Sequence, residues 1–202
     1  MLAYVFWHRP AAGVHEQDYE RTLARFHNSL SENPPAGFTS SVTLRAAELP
    51  WLAGTAPLQG EGYAGYEDWY LVENWTALGV LEAAAVERGH AGSHEEAARQ
   101  MGAGTAGVYR LLEGSPLVAE THLAVWVSRP AGAGDARIAE LLEDGFDPAR
   151  ASLFQRSLVL GPAPELCLLS AEPGGSAETG VARSRLPAGW SAFSATREPV
   201  VG

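Results

Sequence analysis

The side chain best placed for chemistry in this sequence is that of His8. It lies near the end of the run LAYVFWHRP at residues 2–10, whose aromatic and β-branched residues are typical of a β-strand that stops at proline. Strand alternation places Tyr4, Phe6 and His8 on one face. An imidazole at a strand end can transfer a proton or donate a hydrogen bond to an oxygen, so His8 is the candidate catalytic residue. The alternative is a half-exposed histidine with a structural hydrogen bond.

Arg45 and Glu73 form a second candidate pair. A guanidinium group binds a carboxylate through two parallel hydrogen bonds, so Arg45 could pair with Glu73 or hold a carboxylate ligand. Exposed charges at the edge of a sheet are the alternative. Thr43 shares the strand face of Arg45 and joins the candidate ligand-binding residues.

Two histidines at positions 90 and 94 have the spacing that could place both rings on one face of a helix and hold a metal. The neighbouring glycines, and a capping box that begins at Ser93, instead predict a loop followed by a helix start. With no third ligand nearby, we predict no metal site. His15, His27 and His122 are isolated and are predicted to lie at the surface or at the flank of a helix.

The single cysteine, Cys167, lies in the apolar run LCLL and is predicted to be a buried, unreactive thiol. It can form no internal disulfide, which fits a reducing compartment. The sequence contains no P-loop, no GxSxG nucleophile elbow and no HExxH motif. The glycine-rich segment at residues 102–104 is expected to be a loop that leads into a strand, whereas a dinucleotide fingerprint leaves a strand and opens a helix.

Composition and charge narrow the class of protein. Of 202 residues, 24 are acidic and 14 are basic, for a formal net charge of −10. A negative surface repels phosphate groups, so nucleic acids and acidic membranes are not expected partners. The amino-terminal run lacks the features of a signal peptide, and no apolar run approaches the roughly 20 residues of a membrane span. A cytoplasmic location is therefore expected.

The first half of the chain alternates predicted strands and helices. Apolar residues at helical spacing predict a helix over residues 16–30, and alternation predicts a strand over residues 38–49. A stretch rich in glycine and proline at residues 50–65 is expected to be a long excursion. The remaining predicted elements are a strand at 68–75, a helix at 77–88, a short helix from Ser93 and a strand at 105–112. Their order is β-α-β-β-α-β, the ferredoxin-like arrangement.

The second half begins with a run that resembles the first one, LAVWVSRP at residues 123–130. Alignment on the shared Arg-Pro pairs Trp7 with Val127 and Phe6 with Trp126. The predicted elements that follow are a helix at 135–144, strands at 152–160 and 165–171, a stretch rich in glycine and serine at 173–186 and a closing strand at 190–197. We therefore predict two ferredoxin-like units, at 1–118 and 119–202, of which the second lacks or shortens its second helix.

On this element order and strand repeat, the chain resembles the dimeric α+β barrel superfamily in its tandem form, in which two ferredoxin-like units on one chain pack sheet against sheet. The resemblance implies an α+β fold, and the superfamily includes cofactor-free monooxygenases, isomerases, decarboxylases and haem-binding enzymes. Because one fold hosts many reactions, the resemblance implies no particular activity. Two units on one chain can complete the sheet pairing within a monomer, or a homodimer can form through another surface.

Two sheets that meet in this way enclose a space between the faces that carry no helices. We expect this inter-sheet side to carry the candidate ligand-binding residues around His8, namely Tyr4, Phe6, Thr43, Arg45, Glu73, Trp126 and Ser128. Aromatic walls with few polar groups are typical of a pocket for a small molecule.

The sequence thus predicts a small-molecule-binding protein, and whether it is an enzyme stays open. If it is one, cofactor-free oxidation or isomerase-type proton transfer suits a site with aromatic residues, one histidine and one arginine. Two alternatives remain. One is a haem-binding protein with a histidine as axial ligand. The other is a non-enzymatic interaction module, in which exposed sheet edges, an aromatic face or the excursion at residues 50–65 bind another protein.

Overall fold

The computed structural model describes residues 1–46, 49, 65–87, 89–134, 138, 147–161, 164–171, 186 and 188–201. Within them the helices are α1 (Glu16–Glu32), α2 (Trp75–Glu87) and α3 (Ala91–Gln100). The strands are β1 (Leu2–Pro10), β2 (Phe38–Ala46), β3 (Gly65–Val72), β4 (Met101–Gly114), β5 (Leu123–Ser128), β6 (Ala151–Arg156), β7 (Leu166–Ser170) and β8 (Ser191–Val201). In this described part of the chain, no helix has the length and apolar character needed to cross a membrane.

The strands close into one antiparallel barrel in the order β1-β3-β2-β8-β5-β7-β6-β4. The predicted α+β class is therefore confirmed. The expected pair of separate sheets is replaced by one closed sheet, because β2 pairs with β8 and β4 pairs with β6. Closure satisfies the backbone groups that two open sheets would leave exposed at their edges.

Large buried side chains fill the inside of the barrel. On β1, Ala3, Val5 and Trp7 point inward, and the ring centroids of Trp7 and Trp126 lie 5.6 Å apart. Phe154 packs in the same cluster, together with Trp69 and Tyr109. Each large apolar side chain buried here contributes about 1.5–3 kcal/mol. The space between the two halves is therefore a packed core.

Helices cover the outer face of the first-half strands. Apolar residues of α1 at helical spacing, Tyr19, Leu23, Phe26 and Leu30, form its buried stripe. Asn74 immediately precedes α2, and its Oδ1 accepts a hydrogen bond from the Ala77 N–H at 3.1 Å. This helix-covered face is the one that carries Tyr4, Phe6 and His8.

The prediction that Tyr4, Phe6 and His8 face the other sheet is therefore wrong. Both faces of β1 are covered, one by the barrel interior and the other by helices. A strand with two covered faces has no polar side to reveal its orientation.

Most predicted elements of the described segments are present with shifted ends. β3 ends at Val72 rather than continuing to residue 75, and β4 begins at Met101. The segment 102–104, which we predicted to be a loop, therefore lies in a strand. β6 ends at Arg156, and Leu158 and Val159 have φ angles of 51° and 59° that interrupt the extended backbone. The predicted excursion at 50–65, the helix at 135–144 and the stretch at 173–186 lie largely outside the described residues.

Gly79, in the middle of α2, is a position where alanine should stabilise the fold. A Cβ atom there would meet no atom within 4 Å. The substitution Gly79→Ala is expected to raise the free energy of unfolding by about 1 kcal/mol, because glycine loses more backbone entropy in a helix. Gly37→Ala is the control and should instead lower the free energy of unfolding, because the φ angle of Gly37 is +78° and a Cβ atom there would lie 2.5 Å from the Ala77 Cβ. Urea denaturation measures both variants, and a destabilised Gly79→Ala protein would contradict the prediction.

Candidate functional site

A cavity of about 510 Å³ lies between the outer face of the first-half strands and the three helices. We call it the helix-side cavity. The strands β1 and β3 contribute Tyr4, Phe6, His8, Asp68 and Tyr70. Most of the other lining residues are apolar. The apolar ones are Leu23, Phe26, Leu78, Leu81, Ala85, Val86, Ala97, Ala98, Met101 and Val108. This volume and lining are typical of a site for a small, largely apolar molecule.

The β-sheet register explains why there is space beside β1. Gly104 and Ala106 of β4 pair with His8 and Phe6. Because neither β4 residue has a side chain larger than a methyl group, the outer face of β4 leaves room for the rings. A Cβ on Gly104 would lie only 2.4 Å from the Phe6 ring. The rings of Tyr4, Phe6 and His8 follow one another along the strand, with centroid distances of 6.4 Å and 4.9 Å.

A buried carboxylate forms the polar end of the cavity. Asp68 of β3 lies between Phe6 on β1 and Thr43 on β2 in the sheet register and is 2% exposed. The Thr43 hydroxyl donates to Oδ1 at 2.7 Å, and the Tyr70 hydroxyl donates to Oδ2 at 3.1 Å. His8 Nε2 also lies 3.1 Å from Oδ2.

Opposing effects act on the pKa of Asp68. Burial by itself would raise it, but the positive charges that His8 and His27 can carry outweigh burial and hold the pKa well below its ordinary value. The side chain is therefore an ionised carboxylate in a site that excludes most water. Its surrounding donors supply the hydrogen bonds that a buried charge requires.

His8 connects this carboxylate to Tyr19 on α1. Its Nδ1 lies 2.6 Å from the Tyr19 hydroxyl oxygen, and both residues are at most 1% exposed. When Nε2–H donates to Asp68, Nδ1 is the acceptor of the Tyr19 O–H. Burial, reinforced by the charge of Asp68, raises the pKa of Tyr19, which keeps its hydroxyl protonated. Asp68, His8 and Tyr19 thus form a continuous chain that can carry a proton, in which an ion-pair contact joins Asp68 to His8 and a hydrogen bond joins His8 to Tyr19.

His27 belongs to the same network, and our prediction that it lies at the surface or at the flank of a helix is wrong. It is 1% exposed, its Nδ1 lies 2.7 Å from the Ser41 hydroxyl, and its Nε2 lies 2.9 Å from the Thr43 hydroxyl and 3.5 Å from Asp68 Oδ2. The signal was its position within the apolar stripe of α1. Asp68 had a signal too, as a carboxylate in the middle of an aromatic strand.

The structure brings together only some of the residues expected at the site. Tyr4, Phe6 and His8 line the cavity, and Thr43 lies behind them as a hydrogen-bond partner of Asp68. The side chain of Arg45 is half exposed and pairs with Glu20 rather than with Glu73.

Glu73, Trp126 and Ser128 lie away from the cavity. Glu73 follows the last residue of β3 and is exposed. Trp126 is buried inside the barrel, and Ser128 pairs with Ser191 at the end of β5. Trp126 shares its inward face with Trp7, so the alignment that paired Trp7 with Val127 is shifted by one residue. An alignment of the two sequence runs does not show which residues of each strand point into the barrel.

Within the described residues, no three ligating side chains come together to hold a metal. His90 lies at the start of α3, where its Nδ1 is 3.0 Å from the Ser29 hydroxyl, and His94 lines the cavity. Cys167 is buried as predicted, and burial raises the pKa of its thiol.

Haem is the cofactor that the superfamily resemblance implies, and the cavity lining allows a test of its fit. His94 is half-buried and could supply one ligand to iron. The described lining residues, however, include the carboxylates of Asp68 and Glu82 and neither lysine nor arginine. A porphyrin with two propionates would meet these carboxylates without a lysine or arginine to pair with. The residues around this cavity therefore do not fit haem.

Comparison with known proteins places the fold. No family model matches the sequence, and no curated protein matches it. A crystal structure described as "Putative Chlorite dismutase" matches with a TM-score of 0.52 and 15% sequence identity, over 98% of this chain and 95% of that one. At this identity the likeness is one of fold. The chain therefore shares its overall α+β fold with that structure.

Proposed function

We propose that the helix-side cavity binds a small, largely apolar molecule and that His8, supported by Asp68 and Tyr19, transfers a proton to or from it. The observation that carries this proposal is the chain of contacts from Asp68 through His8 to Tyr19 at the buried end of an apolar cavity. The reaction class is isomerase-type proton transfer. The same proton removal would be the first step of the cofactor-free oxidation that the sequence left open.

The chain of residues suggests how the proton moves. The Tyr19 oxygen takes a proton from a carbon of the bound molecule while its own O–H proton passes to His8 Nδ1. The imidazolium that results is stabilised by the ionised Asp68, 3.1 Å from Nε2. Reversal of these steps returns the proton to a different carbon. Because the raised pKa of Tyr19 disfavours a phenolate, the tyrosine passes the proton on and His8 holds it.

Thr43 and Tyr70 hold the carboxylate in position for this step. Each donates a hydrogen bond to a different oxygen of Asp68, so the carboxylate cannot rotate away from His8. A general base oriented in this way accelerates proton transfer more than a freely rotating one.

Hydrogen exchange of an apolar ketone tests the proposal. β-Tetralone has acidic α-hydrogens and dimensions suited to the cavity, and its exchange in deuterium oxide is followed by proton NMR. The wild-type protein is expected to accelerate the exchange, and His8→Gln and Tyr19→Phe are each expected to lose roughly a hundredfold or more of that acceleration. The Tyr19→Phe variant keeps the ring in place and removes only the hydroxyl.

His15→Gln is the matched control, because His15 is exposed at the start of α1. This variant should accelerate hydrogen exchange of the ketone as much as the wild-type protein does. Circular dichroism establishes that each variant is folded. A wild-type rate equal to that of buffer, or full activity in His8→Gln, would overturn the proposal.

The two-unit organisation of the chain, at residues 1–118 and 119–202, is part of the same proposal. Strand neighbours run β4-β1-β3-β2 in the first half and β8-β5-β7-β6 in the second. If the strands of each half are numbered from the first strand of that half, both halves have the strand order 4-1-3-2. This correspondence supports two ferredoxin-like units that close a common barrel, with the site in the first unit.

A further inference from the structure

We infer that the molecule bound in the helix-side cavity carries a positive charge, as a protonated amine does, and that Glu82 at the mouth recognises it. This inference names the ligand class for the proposed function and rests on the same cavity. The sequence alone did not point to it, since Glu82 stood in a predicted helix without any partner or motif.

Glu82 is the charged side chain of α2 that borders the cavity. It lies one helical turn from Val86, which also lines the cavity and is 53% exposed, so this part of α2 forms the opening to solvent. Among the described residues, no lysine, arginine or histidine forms an ion pair with Glu82. Within this described part of the chain, the carboxylate is therefore available to a cation that enters.

Negative potential extends from the mouth into the cavity. Burial, together with the charges of Asp68 and Glu82, raises the pKa of the Tyr4 hydroxyl. No described residue forms a hydrogen bond with the Tyr4 hydroxyl, so this group is free to accept one from an ammonium. The cavity thus offers a charged acceptor at its mouth and a neutral one further in.

The walls suit a cation that has an apolar body. Tyr4 and Phe6 lie in one row, and Tyr70 lies 6.0 Å from Tyr4 on the next strand, measured between ring centroids. Aromatic rings attract cations through the negative charge on their faces. No lysine or arginine occurs among the described lining residues to compete, and a carboxylate ligand would be repelled.

Three probes of matched shape separate charge from apolar fit: naphthylmethylamine, naphthalenemethanol and naphthoate. Isothermal titration calorimetry at neutral pH should show that the ammonium binds about tenfold more tightly than the alcohol, and that naphthoate binds more weakly than both. Glu82→Gln should reduce the affinity for the ammonium about fivefold to tenfold and leave that for the alcohol unchanged. Glu87→Gln is the matched control, because Glu87 ends the same helix and does not line the cavity.

The titration tests the charge preference of the cavity, and the ketone exchange tests proton transfer, so either proposal can fail while the other holds. Equal binding of the three probes, tighter binding of naphthoate, or an unchanged affinity in Glu82→Gln would overturn the charge preference, even if β-tetralone still exchanges. Ammonium-selective binding that depends on Glu82 would support the inference, even if no exchange is seen and the proton-transfer proposal fails. Binding of none of the probes would overturn the inference.

Discussion

Replacement of Arg197 by methionine is expected to lower the free energy of unfolding by about 3–5 kcal/mol, because it leaves a buried carboxylate without its cation. Arg197 Nη1 lies 2.9 Å from Glu67 Oε1, and the two side chains are 1% and 2% exposed. The indole N–H groups of Trp7 and Trp69 also donate to Glu67, at 2.9 Å and 2.6 Å. They satisfy hydrogen bonds but do not neutralise the charge.

Arg197 also connects distant parts of the chain. Its Nε donates to the Thr121 carbonyl at 3.1 Å and its Nη2 to the Val118 carbonyl at 3.1 Å, so β8 is attached to the segment between β4 and β5. Arg25→Met is the control, since Arg25 pairs with Glu96 at the surface and its loss should cost about 1 kcal/mol or less.

Urea denaturation of Arg197→Met and Arg25→Met gives the comparison. Glu67→Gln, which keeps the volume and one of the two acceptor oxygens, supplies a second variant if Arg197→Met does not fold. Similar losses in Arg197→Met and Arg25→Met would show that the buried pair is not important for stability.

Replacement of Asp68 by asparagine is expected to cost about 3 kcal/mol of stability above pH 5 and to remove ketone exchange. The amide cannot stabilise an imidazolium at His8, and its NH₂ group would face the ring nitrogen that now lies 3.1 Å from Oδ2. Asp18→Asn is the control, because Asp18 pairs with Arg21 at the exposed start of α1.

The destabilisation of Asp68→Asn should depend on pH. The pKa of Asp68 in the folded protein lies below the value of about 3.9 in an unfolded chain, so ionisation stabilises the fold above about pH 4. That contribution is lost as the pH falls through the folded-state pKa. The stability difference between wild type and Asp68→Asn should therefore be largest above about pH 5 and decrease toward pH 3. A difference that is constant with pH would contradict the assigned charge of Asp68.

The comparison of sequence with structure is most informative on β1. Alternation correctly grouped Tyr4, Phe6 and His8, and these residues do line a cavity. The cavity lies under the helices rather than between the sheets, because both faces of β1 are covered by apolar groups. A period of two residues identifies two faces, but only tertiary packing decides which one a helix covers.

The hydrogen-bond network around Asp68 also could not be predicted from the sequence. Asp68, His27 and Thr43 lie on three different elements, and nothing in the local sequence connects them. Their meeting depends on the register of β2 against β3 and on the angle at which α1 crosses the sheet. Arg45, by contrast, looked like a site residue in the sequence and lies at the surface with Glu20.

The sequence by itself determined the α+β class, the buried stripe of α1 and the aromatic row of β1, because these follow from short-range periodicity and local propensity. Only the tertiary structure decided that the strands close into one barrel, that Tyr4, Phe6 and His8 face helices, and that Asp68 joins two histidines. These features depend on contacts between residues far apart in the chain. A local sequence pattern carries no information on the free energy of such contacts.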